Sequence, residues 1–168
     1  MNNFKKLIVW QKAREFVKDV YILTKKFPKE EQFGLTSQIR RAVISIVSNI
    51  AEGSGRGSDN DFAHFLDIAQ GSAYEVETQI TLSFDLDFIT IEEFTKSSDK
   101  IQEIQKMINK LACTLRNKTQ DILDTRQKTQ DTSFKSNSLV SNSPESDSLV
   151  SDSLVSNSLV SNSLNHEI

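Results

Sequence analysis

The chain has 168 residues, of which 37% are apolar, with a net charge of −3 and a single cysteine. That length fits one domain with a substantial core, and the low apolar share implies that part of the chain stays outside it. The lone Cys113 excludes an intramolecular disulfide framework and fits a reducing compartment, while the apolar run Leu7 to Trp10 is too short for a signal core or a membrane span. A cytoplasmic protein without membrane contact is expected.

The first predicted element places Val9, Ala13, Phe16, Val20, Leu23 and Phe27 at alternating steps of four and three, and Pro28 ends it. Ile39, Val43, Ile46 and Ile50 repeat the rhythm in a second helix. On a wheel of 100° per residue its apolar residues cover roughly 200°, about twice what a surface helix needs. Ile44 and Ala51 therefore point to a second, subunit-contacting surface. Asn49, at the border of the arc, and Glu52, on the polar side, are read as hydrogen-bonding staples near the helix end, with a binding pair as the alternative. "GSGRG", Gly53 to Gly57, reads as the C-cap and turn that end the helix, glycine being able to take the left-handed conformation cheaply; a phosphate site with Arg56 at the start of the next helix is the alternative.

A third helix, from about residue 59 to 86, opens at Ser58 with Asp59 and Asp61 in its first turn, where carboxylates suit the positive helix end. Phe62, Leu66, Ala69, Ala73, Val76 and Ile80 form its core stripe, and His64, Ile68, Gly71, Glu75 and Leu82 run along the far side. A mid-helix glycine costs about 1 kcal/mol relative to alanine, so a close helix contact is the natural reason for Gly71. Ile68, Gly71, Glu75 and Leu82 join Ile44 and Ala51 as interface candidates, with Glu75 facing an arginine such as Arg41. The fourth helix opens at Thr90 and Glu93, spaced as a capping box, and repeats Ile101, Ile104, Ile108, Leu111 and Leu115. Steps averaging 3.5 residues, with short connections, predict an all-α, antiparallel, up-down four-helix bundle over residues 1–128. Residues 129–168 read as a low-complexity, disordered C-terminal tail, because the Ser/Asn/Leu/Val units that begin at Ser136 have a period of five, which matches neither helix nor strand.

Charge is segregated: residues 1–56 carry 11 basic and 5 acidic side chains, whereas residues 57–99 carry 1 and 10. Blocks of opposite sign pair either within a chain or between copies. Chemistry-bearing motifs are sparse. A P-loop needs a preceding strand and a Gly-Lys-Ser/Thr ending, and a di-iron bundle needs two Glu-x-x-His pairs; this chain offers neither, having only His64 and His166. Arg56 and His64 are too widely spaced for a helical ribonuclease. No catalytic residue, metal site or cofactor is nominated, and a non-enzyme is expected. Two binding roles remain. One is an oligomeric module holding RNA or DNA by its phosphates, with candidates Arg40, Arg41, Arg56, Lys12, Lys18, Lys25 and Lys26; against it stand the pI of about 5.4 and the expected absence of an exposed aromatic series for base stacking. The alternative is a protein–protein adaptor or scaffold whose charges only join subunits.

The segments "VWQKA" (Val9 to Ala13), "FP" (Phe27, Pro28), "FGLTSQIRRA" (Phe33 to Ala42), "SNIAEGSGR" (Ser48 to Arg56) and "FLDIAQGSAYEVET" (Phe65 to Thr78) resemble, in order, the 23S ribosomal RNA intervening sequence proteins. The resemblance runs from about Phe4 to Leu115. It implies a bacterial or phage-like origin, a four-helix bundle and a homopentamer. Val47 stands where many members have proline, and the serine-rich tail lies outside the pattern.

Overall fold

The computed structural model describes residues 3–140, with side chains through residue 126. The chain divides into two compact units, Met1–Thr129 and Gln130–Ile168; of the second, only the end of a helix lies within the described residues. Among the described residues there are four α-helices: α1 Ile8–Leu23, α2 Leu35–Ser54, α3 Asp59–Asp85 and α4 Ile91–Val140. Helix α4 thus continues past the expected boundary at residue 128, and the tail beyond residue 140 lies outside the described residues.

Cross-links between side chains define an antiparallel, up-down bundle. Between α1 and α4, Lys12 pairs with Glu103 at 2.7 Å, Asp19 with Lys100 at 2.5 Å, and Lys26, just past α1, with Glu93; one number rises as the other falls. Between α3 and α4, Asp59 pairs with Lys118, Asp67 with Arg116, and Glu77 accepts from Gln105 and Gln102. Helix α2 packs on α3 and on α1, with Ser45 and Ser72 hydroxyls 2.8 Å apart and Arg40 reaching Thr24. Some of the segregated charges therefore pair within the chain, with Lys26–Glu93 joining the basic and acidic blocks directly and Asp59 and Asp67 answered by α4. Inside, the stripes expected from the spacing meet: Phe16, Ile39, Ile46, Leu66, Ile80 and Ile104 are sealed from solvent.

The ends follow local chemistry. Helix α1 stops at Leu23, earlier than the apolar stripe suggests; Thr24–Lys26 tighten into a 3-10 turn, and Phe27 is extended (φ −65°, ψ 149°), as a residue before proline prefers. The Ser58 hydroxyl caps α3 by accepting from the Asp61 amide at 3.0 Å. At the other end Asp87, with φ 58°, takes the left-handed position, and the Phe88 and Asp87 amides donate to the Ser83 and Phe84 carbonyls, a Schellman ending. The capping box of α4 forms reciprocally: the Thr90 amide donates to Glu93 at 3.1 Å and the Glu93 amide to the Thr90 hydroxyl at 3.3 Å.

The glycine cluster ends α2 as expected, with Gly55 as its C-cap, but at φ −87°, and no glycine among the described residues takes a positive φ. Gly53 lies inside the helix, where an added Cβ would sit 2.6 Å from the Phe65 Cβ and 2.8 Å from the Phe62 ring. Close approach of α3, not backbone handedness, selects glycine there. Helix α2 also runs unbroken through the half-buried Val47.

Candidate functional site

The seven nominated phosphate-binding cations fall into three environments. Lys12, Lys26 and Arg56 are engaged by Glu103, Glu93 and Glu52. Lys26 and the Thr90 amide together hold the Glu93 carboxyl below the usual glutamate pKa, so this pair stays charged well into the acid range. Arg40 is half-buried, donates to the Thr24 hydroxyl at 2.8 Å and lies 4.8 Å over the Tyr21 ring. Lys18, Lys25 and Arg41 are exposed and have no carboxylate within ion-pair distance among the described residues.

Two of those three share one stripe. Arg14, Lys18 and Tyr21 on the outward side of α1, and Lys25 in the 3-10 turn that follows it, succeed one another at steps of four, three and four, and all are exposed. Trp10, four residues before Arg14, continues the line; its half-buried ring packs edge-on to Phe4 at 5.0 Å and lies 5.8 Å below the Arg14 guanidinium. From Trp10 to Tyr21 the stripe spans about 16 Å of α1, and the 3-10 turn carries it on to Lys25. A shallow depression at its N-terminal end is bordered by Lys5, Trp10, Gln11, Arg14, Glu15 and Lys18. Arg14, Lys5 and the two rings were missed in the sequence, although their spacing carried the signal: the same wheel that reveals an apolar stripe also aligns cations with aromatics.

The proposed interface residues lie where the wheel puts them. Ile44, Ile68 and Leu82 are 41%, 41% and 45% exposed, Glu75 is exposed, and Ala51 is half-buried. An added Cβ on Gly71 would meet nothing within 4 Å, so no helix contact among the described residues explains that glycine. Glu75 accepts from Gln79 and makes no ion pair with Arg41 within the chain. Asn49 and Glu52 act as staples: the Asn49 amide donates to the Ser45 carbonyl at 2.8 Å and hydroxyl at 3.0 Å, and Glu52 holds Arg56. Arg56 also lies 4.6 Å over the Phe65 ring, binding the α2–α3 corner together. His64 is exposed, as its place off the core stripe implied.

Among the described residues no three His, Cys, Asp or Glu side chains gather closely enough to hold a metal. No helix among them is long and apolar enough to cross a membrane.

Comparison with known proteins gives the context. A protein of unknown function from the S23 ribosomal protein family of Bacteroides thetaiotaomicron has a similar solved structure, with a TM-score of 0.59 and 29% sequence identity, over 62% of this chain and 98% of that one. No curated protein matches the chain. The model of the 23S rRNA-intervening sequence protein family matches residues 5–110, from the start of the cationic stripe through most of the bundle part of α4. The chain belongs to the 23S rRNA-intervening sequence protein family.

Proposed function

We propose that this protein is a non-catalytic, self-associating four-helix module that holds nucleic acid by its phosphates. The observation that carries the reading is the division of its cations. Lys12 and Lys26, facing α4, are satisfied by carboxylates, whereas Arg14 and Lys18 on the outward side of α1 and Lys25 in the turn after it meet none among the described residues. An unpaired row of positive charge attracts a polyanion and releases its counterions on contact. The overall charge of −3 does not oppose this, because the acids of α3 lie elsewhere and two of them, Asp59 and Asp67, are neutralised by α4.

Self-association, as the homopentamer implied by the resemblance, is supported by the exposed Ile44, Ile68 and Leu82 and by the uncovered Gly71. The same apolar row favours the second reading, an adaptor that binds only protein. Titrating an rRNA fragment at rising salt separates the two. About three phosphate contacts on an unpaired strand predict that log K falls with log salt at a slope of roughly −2. Absence of binding at about 50 mM salt would remove the first reading in favour of the second. For the subunit contact, Glu75→Lys should change the assembled mass in light scattering; an unchanged mass would exclude Glu75 from it.

A further inference from the structure

The aromatic rings on α1 carry a more specific inference, which rests on the nucleic-acid reading above. Cations alone would suit any polyanion. Here they alternate with rings: Trp10, Arg14, Lys18, Tyr21 and Lys25 occupy consecutive positions of one helical stripe. Both rings are held in place. Phe4 packs edge-on to Trp10, and Arg40, itself tied to Thr24, lies against Tyr21. A ring backed by a guanidinium is a stiff, polarised platform, and Tyr21 is still 37% exposed.

We infer that this stripe takes an unpaired nucleic-acid strand, with its phosphates on Lys5, Arg14, Lys18 and Lys25 and its bases stacked on Trp10 and Tyr21. Bases inside a duplex show their edges in the grooves and keep their faces stacked, so a duplex leaves the rings unused. A single strand uses both parts of the pattern. In the depression beside Trp10, three cations stand against one carboxylate, Glu15, which keeps the local balance positive. Alternation of rings and charges without hydrogen-bonding specificity predicts tolerance of sequence.

The chain contains one tryptophan, Trp10, so emission excited beyond the absorption of its two tyrosines reports on this stripe alone. The full-length protein is titrated with oligo(U), with oligo(dT), each about 12 nucleotides long and within the range of single-strand sites, and with a duplex of equal length. Both single strands should quench Trp10 emission and bind tighter than the duplex. Tyr21→Ala should weaken single-strand binding by roughly tenfold, Lys18→Glu should weaken it as well, and neither should alter helical content. Quenching by oligo(U) alone would restrict the ligand to RNA, and by oligo(dT) alone to DNA, with the stacking inference intact in both cases. Single-strand binding that leaves Trp10 emission and the Lys18→Glu affinity unchanged would overturn the inference while sparing the nucleic-acid reading. Equal or tighter duplex binding would do the same. If no nucleic acid binds at about 50 mM salt, the reading beneath it falls too.

Discussion

The two long sides of α1 carry similar charges in opposite circumstances. On the side toward α4, Lys12, Asp19 and Lys26 each meet an opposite charge. On the outward side Arg14, Lys18 and Lys25 meet none among the described residues. Residue type does not separate the two sets, and neither does local sequence: Lys25 and Lys26 are adjacent. The neighbour decides whether a lysine is part of the scaffold or remains open to a ligand. The difference also says where mutations should act. Changes on the inner side and in the core should register in stability, and changes on the outer side in binding.

The largest test lies deepest. Ile46→Ala removes a fully buried side chain from α2 and should cost about 2–5 kcal/mol, seen as a fall in thermal and denaturant midpoints together with any binding. Gly53→Val should follow at about 1–3 kcal/mol, because its branched Cβ would run into the Phe65 Cβ and the Phe62 ring. A variant at Gly53 that unfolds like the parent would show that α3 can retreat at no cost, and the account of that glycine would be wrong.

The charged seam should respond more weakly, and with a definite sign in pH. The Glu93 carboxyl is held below its ordinary pKa by Lys26 first and the Thr90 amide second. The neighbouring Glu92 is lowered too, chiefly by the Thr90 hydroxyl. A depressed carboxylate pKa means that the stabilisation is complete above the unfolded value, about 4.3 for glutamate, and is lost as pH falls through the lower folded value. The midpoint difference between the parent and Lys26→Gln should therefore be present at neutral pH and fade as pH falls below the unfolded glutamate value of about 4.3. A difference that persists at acid pH would place the effect of Lys26 in packing. Smaller again, a double-mutant cycle on Lys12 and Glu103 should give a coupling of about 0.2–1 kcal/mol, since both side chains are substantially exposed.

The smallest expected stability effect sharpens the contrast most. Lys18→Glu on the outward stripe should shift unfolding by no more than about 0.5 kcal/mol while weakening strand binding. A large loss of stability instead would return the stripe to the scaffold and erase the distinction between the two sides of α1.

Much of the fold could be read from residue spacing. The stripes of α1 to α4, the Ser58 cap and the Thr90–Glu93 capping box are local or periodic features, set by helix geometry and by the hydrogen-bonding needs of the first turn. Phe33 at 88% exposure and Ile22 at 61% show the limit of that rule, since an apolar residue stays outside when its helix face or turn points away from every neighbour. The candidate site was only half legible. Lys18 and Lys25 were named for their charge, but so were Lys12 and Lys26, and nothing along the chain told them apart.

The sequence by itself determined four helices, their inward faces and the places where two of them begin, because those follow from side chains within a turn or two of each other. Tertiary structure alone decided which charges are silent, since Glu103 and Glu93 reach Lys12 and Lys26 only after α4 has folded back along α1. It also decided why Gly53 is a glycine, since the groups that crowd it belong to α3. Electrostatic pairing and close packing act through space over a few ångströms, and separations of 91 and 67 residues along the chain hide them from any local reading.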